Sequence, residues 1–254
     1  MSNDIEKVRR LTSENDDQLS HGECELLYKL AKGVPSGQAI VEIGRGNGKS
    51  TLWLAKGTEA GQRNKVYSIA PYAGSNAPAS ESERNAYAAF LNKVKESEVQ
   101  DTVVPLVTTS DEAAKRWREV KVGLLFIDAG HEYEDVKHTF LSWDWHLSPR
   151  ARVALHGCDQ PGPARAIKEA LGHYGNFTFV EAIDTTVVVS TDTCIHYWIM
   201  DSGDIGVCRY CGRKRNFKRL LRESLSLKES SRTGTVIGGK PNRVKSKKGK
   251  RRQG

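Results

Sequence analysis

At 254 residues the chain is longer than a single compact core needs, so one main domain with an appendage is expected. Its hydrophobic content of 38% suits a globular protein, and no apolar run approaches the roughly 18 residues of a membrane span. The formal charge of +8 is misleading, because residues 213–254 hold 16 Lys plus Arg against Glu223 and Glu229, a local +14 that leaves residues 1–212 at −6.

The polar start, MSNDIEKVRRLTSENDD, offers no signal peptide, and residues 1–20 read as an N-terminal extension of a cytoplasmic protein without membrane partners. Residues 21–32 place Leu26, Leu27, Leu30 and Ala31 at helical spacing, and Gly33 to Gly37 end that helix. An apolar run over 38–44 then breaks into GRGNGKST and a helix from Thr51, which is strand, tight turn, helix. The alternation continues. Strands are predicted over 65–71, 103–108, 122–130 and 150–159, and helices over 80–99, 111–120, 134–147 and 163–175, with closing strands in 177–190. This order predicts an α/β, doubly wound, Rossmann-like and mostly parallel sheet over 21–190, covered on both faces. Ligands of such sheets bind beyond the carboxyl ends of the strands, where Gly44, Ala70, Asp128 and His156 fall.

The most informative stretch is Val41 to Thr51, VEIGRGNGKST. Its glycines permit positive φ and close approach of backbone amides to a ligand, and the next helix offers its positive end. A Walker loop would need a glycine where Ile43 stands, and the dinucleotide pattern GxGxxG closes one residue early at Gly48. The pattern that fits is E-x-G-x-G-x-G, from Glu42 through Gly44 and Gly46 to Gly48, used by class I methyltransferases around S-adenosylmethionine. ELLYKLA (25–31), VEIGxGxGKST (41–51), VYSIxPxxGS (66–75), LLFIDxxHxYExV (124–136) and VALH (153–156) followed by QPGPARAI (160–167) resemble, in this order, the methyltransferase 24 group of O-methyltransferase-like proteins found beside sugar and polysaccharide pathways.

That resemblance implies a cofactor site of Glu42, Gly44, Gly46, Gly48, Ser50, Thr51, Ala70 and Asp128, with Ser110 and Asp111 flanking the adenine, and a small-molecule or sugar methyl acceptor. Ala70 departs from the family, which holds a ribose-gripping acid there; the lost hydrogen bonds cost about 1–3 kcal/mol. Gly157 likewise follows His156 where the family shows an adjacent acid, leaving Asp159 as the nearest one. Asp128, His131 and His156 are the candidate catalytic residues, as general base or, for Asp128, as ligand of Mg2+ or another divalent ion. Alternatively Asp128 and Ser110 are helix N-caps and His131 a surface residue.

Three of the five cysteines crowd into 18 residues beside a histidine. Cys194-x-His196 and Cys208-x-x-Cys211 make the ligand set of a closed tetrahedral Zn2+ site, predicting a zinc ribbon over 191–219 on which Trp198 and Phe217 pack. Cys24 and Cys158 match no metal pattern and read as partly buried thiols. Residues 220–254 lack apolar content and read as a disordered basic tail, either solubilising or contacting nucleic acid. Two functions follow: S-adenosylmethionine-dependent O-methylation, or a cofactor-impaired Rossmann domain that binds nucleic acid or a protein partner through ribbon and tail.

Overall fold

The computed structural model describes residues 3–12, 19–71, 80–128, 130, 132–172, 177–192, 198–209, 212 and 214–218. Two compact units divide the chain, Met1–Ile195 and His196–Gly254.

The first unit opens with α1 (Asn3–Thr12) and α2 (His21–Lys32). The sequence reading assigns no helix to the polar start, yet Val8 is fully buried in the core and Arg9 Nη2 lies 2.9 Å from Glu25 Oε1 on α2. α2 begins in a capping box: Ser20 Oγ accepts from the Glu23 amide while the Glu23 carboxylate accepts from the Ser20 amide. Of the predicted stripe, Leu26, Leu27 and Ala31 are buried and Leu30 is partly buried against the core.

Strands and helices then alternate: β1 (Ala39–Ile43), α3 (Lys49–Glu59), β2 (Val66–Ile69), α4 (Glu81–Glu96), β3 (Val103–Leu106), α5 (Ser110–Arg116), β4 (Val122–Ile127), α6 (Tyr133–Asp144), β5 (Leu147–Leu155) and α7 (Pro161–Gly172). The hairpin β6 (Phe177–Ile183) and β7 (Thr186–Thr191) closes the unit. The sheet runs β3-β2-β1-β4-β5-β7-β6. β1 to β5 pair in parallel, whereas β7 is antiparallel to both β5 and β6. Every residue of β1 and β4 is buried, as expected of central strands covered on both faces. Strand order reverses between β1 and β4, and a crevice opens beyond the carboxyl ends at such a switch point.

α2 and α3 approach so closely that a Cβ on Gly57 would lie 2.4 Å from the Tyr28 carbonyl oxygen. Only glycine fits there. Trp53, Leu52 and Leu54 of α3 complete this packing with 0–2% exposure. Among the described residues no helix is long and apolar enough to cross a membrane.

The second unit contains a three-stranded antiparallel sheet, ordered β10 (Lys214–Asn216), β9 (Ile205–Cys208), β8 (Trp198–Met200). The Trp198 and Phe217 rings meet edge to face at 5.4 Å.

Candidate active site

β1 ends in the glycine turn. Gly44, Gly46 and Gly48 adopt φ of 85°, 47° and 93°, a left-handed path that keeps the turn tight and leads directly into α3. No side chain caps α3 at Gly48, although the Asn47 Oδ1 accepts from the Lys49 amide at 3.3 Å. The uncapped first turn gives this end of the helix its attraction for a negative group.

The polar residues around the turn divide into two sets. Glu42, Ser50 and Thr51 are buried and bonded to one another: Glu42 accepts from Ser50 Oγ and Thr51 Oγ1, each at 2.5 Å, and from Ser68 Oγ on β2 at 2.6 Å. Burial pushes the Glu42 carboxyl up to about 7, with the charge of Asp128 adding to it, against the opposing pull of the three hydroxyls. This cluster ties β1, β2 and α3 together beneath the turn.

The second set stands at the ends of β4 and β5. The Asp128 amide donates to the Ile43 carbonyl and the His156 amide to the Ile127 carbonyl, so the two side chains emerge side by side. His156 Nδ1 lies 2.8 Å from Asp128 Oδ1, and His156 Nε2 lies 3.8 Å from Glu23 Oε1. The histidine side chain is 4% exposed and that of Asp128 26%, so the carboxylate is the member that reaches solvent. Burial pulls the His156 pKa down, but the hydrogen bond and charge of Asp128, with Glu23 and Asp159, outweigh it and leave the imidazole raised. Asp128 is not a helix cap, since Glu132 holds that position for α6.

Glu23 has no place among the sequence-predicted site residues. It is 1% exposed, and its Oε1 accepts from the Thr185 amide at 3.1 Å and from the Thr185 and Thr186 hydroxyls at 2.8 Å each. Burial raises its pKa, yet these bonds, the Ser20 amide and the His156 charge more than compensate and leave it lowered. The signal in the sequence was the S-x-x-E pattern at Ser20, which marks a helix start and says nothing of a histidine 133 positions away.

At the end of β2, Ala70 receives through its carbonyl a 3.4 Å hydrogen bond from Arg45 Nη2. Arg45 is 3% exposed, and its guanidinium lies 4.6 Å from the Phe90 ring centroid and 5.5 Å from that of Tyr87, both on α4. Ser110 and Asp111 open α5, where Thr109 rather than Ser110 is the N-cap. Ser110 Oγ accepts from the Trp143 indole at 3.0 Å, and Asp111 pairs with Lys115 at 2.5 Å and His138 at 3.2 Å.

Of the remaining candidates, His131, Cys194, His196 and Cys211 lie outside the described residues, as does the basic tail over 220–254. Cys208 is described: it ends β9 at 1% exposure, and the Gly212 amide donates to its carbonyl at 2.9 Å. Among the described residues no three His, Cys, Asp or Glu side chains gather as a metal site, at Asp128 or elsewhere. Cys158, half-buried, has its thiol pushed up to about 11 by burial. That leaves it protonated at neutral pH and a poor nucleophile.

Residues 41–158 match the family model described as a methyltransferase domain. Over these residues, fewer than half of the chain, it is similar to methyltransferase domains. Its fold is similar to that of the O-methyltransferase TomG of Streptomyces achromogenes, solved with S-adenosylmethionine, at 18% identity and TM-score 0.56 over 76% of this chain and 91% of that one. An O-methyltransferase of Bacillus cereus in complex with S-adenosylhomocysteine matches at 14% identity and TM-score 0.55, covering 76% and 91%. A methyltransferase of Geobacter sulfurreducens matches at 17% and 0.56, covering 76% and 90%. No curated protein sequence matches the chain. Residues 41–158 run from the third residue of β1 to three residues past β5, so the methyltransferase domain match spans both the glycine turn and the Asp128–His156 pair.

Proposed function

We propose that the domain transfers a methyl group from S-adenosylmethionine to an oxygen of a small molecule or sugar. The observation that carries this reading is the meeting, at the carboxyl ends of the central strands, of the left-handed glycine turn of β1 and the Asp128–His156 pair of β4 and β5. The turn fits a cofactor: its glycines carry no Cβ toward the crevice, and the uncapped start of α3 suits the cofactor's carboxylate. When bound, S-adenosylmethionine supplies an electrophilic methyl on a sulfonium. Asp128 would accept the proton that the acceptor hydroxyl loses on methylation by that group. His156 sits behind Asp128, orients its carboxylate and shares the arriving proton's charge with Glu23.

Calorimetric titration with S-adenosylmethionine tests binding, and release of S-adenosylhomocysteine in the presence of candidate sugars and phenols tests transfer. Asp128→Asn is expected to lower transfer by about a hundredfold or more at saturating cofactor. A variant as fast as the parent would remove Asp128 from the chemistry.

A second reading, a cofactor-impaired binding module, is favoured by Ala70 and by the guanidinium of Arg45 lying on its carbonyl. In that reading the second unit acts as a zinc ribbon, Cys194, His196, Cys208 and Cys211 holding a structural Zn2+ that fixes the strands, and the tail contacts nucleic acid or a protein partner. The burial of Cys208 at a strand end and the turn closed by Gly212 fit a thiolate ligand. Truncation after Leu220 is expected to abolish salt-sensitive RNA or DNA binding; retention of that binding by the truncated chain would reject the tail as its source.

A further inference from the structure

We infer that Arg45 is a specificity-determining residue of the crevice, which holds the ribose end of the site in competition with the cofactor. The inference rests on the reading of the crevice as an S-adenosylmethionine site. Three observations support it. The guanidinium reaches the end of β2, where its Nη2 bonds the carbonyl of Ala70, the position from which a carboxylate would otherwise grip a ribose. It is 3% exposed and flanked by the rings of Phe90 and Tyr87, so it is an ordered part of the wall rather than a waving surface side chain. The same Phe90 ring closes on the turn itself, 2.7 Å from where a Cβ of Gly48 would stand.

A nucleoside entering here meets a buried guanidinium at the end of β2, and the side chain of Ala70 offers its ribose hydroxyls no acceptor. S-adenosylmethionine carries a net positive charge from its sulfonium and is further disfavoured beside a guanidinium. Cofactor affinity is therefore reduced by the work of displacing Arg45 from Ala70 and α4, in the manner of any ligand that must first shift a filled conformation.

The test is calorimetric titration of the full-length protein with S-adenosylmethionine, using Arg45→Met, Ala70→Asp and the double variant. Methionine keeps an unbranched apolar stem against Phe90 and Tyr87, and melting curves check that each variant is folded. Arg45→Met is expected to bind about tenfold tighter than the parent, close to 1.4 kcal/mol. Ala70→Asp alone is expected to gain less than it gains in the Arg45→Met background, because Arg45 neutralises the new carboxylate. Binding by the parent together with equal or weaker binding by Arg45→Met would overturn the role of Arg45 while leaving the cofactor reading intact. Absence of heat from all four folded proteins would overturn both. Should Arg45→Met fail to fold, Arg45→Lys serves: it keeps charge and stem but loses the planar fork, and a gain of about threefold or more supports the inference whereas none overturns it.

Discussion

Glu23 Oε1 on α2 accepts a 2.8 Å hydrogen bond from Thr186 Oγ1 on β7, across 163 residues of chain. The same oxygen lies 3.8 Å from His156, so one buried carboxylate joins the first helix of the fold core, the closing hairpin and the site. Glu23→Ala would leave the Thr185 amide and two threonine hydroxyls without this acceptor, at a cost of about 3 kcal/mol. Because the folded pKa of Glu23 is lowered, its contribution is present above the ordinary value of 4.5 and lost as pH falls through the folded value. Urea unfolding at neutral pH should show the loss, and the gap between variant and parent should narrow on acidification. An unchanged midpoint at neutral pH would mean that water replaces the carboxylate at no cost.

Glu42 has the opposite sign. Its folded pKa is raised to about 7 from 4.5, so the folded state binds the extra proton and stability falls as pH climbs between those values. The full penalty above pH 7 is on the order of 3 kcal/mol. Glu42→Gln, neutral at every pH, is expected to melt higher than the parent at pH 8 and to lose that advantage by pH 5. Parallel melting profiles across this window would show that the parent carboxylate does not titrate there.

Gly48→Ala combines two handicaps: a φ of 93° and a Cβ at 2.7 Å from Phe90. Gly37→Ala has a φ of 76° with nothing within 4 Å and serves as the control for backbone strain alone. The control is expected to cost about 1 kcal/mol and Gly48→Ala about 2 kcal/mol or more. Equal losses would show that the Phe90 ring yields freely, and with it the wall of the crevice.

Cys208 carries the zinc proposal into measurement. Elemental analysis of the purified chain is expected to give about one Zn2+ per molecule, and Cys208→Ser about none. Chelation should also shift the emission of Trp198, whose ring packs on Phe217. A metal-free parent with intact β8, β9 and β10 would end the proposal.

What the sequence determined by itself was local and periodic. Alternating apolar runs and helical stripes placed the strands and helices from α2 to α7 within a few residues, the glycine pattern marked the turn after β1, and chain order put Asp128 and His156 at strand ends. These are properties of neighbours along the chain, so a linear reading reaches them. Even locally it faltered where tertiary burial overrides composition, as in α1, whose polar sequence is held by the burial of Val8. Only the tertiary structure decided that β7 inserts between β5 and β6, that Glu23 meets His156, and that Arg45 folds back between Ala70 and α4. Each joins segments far apart in sequence through side chains whose direction depends on how helices settle on the sheet. Spacing alone carries no record of that direction.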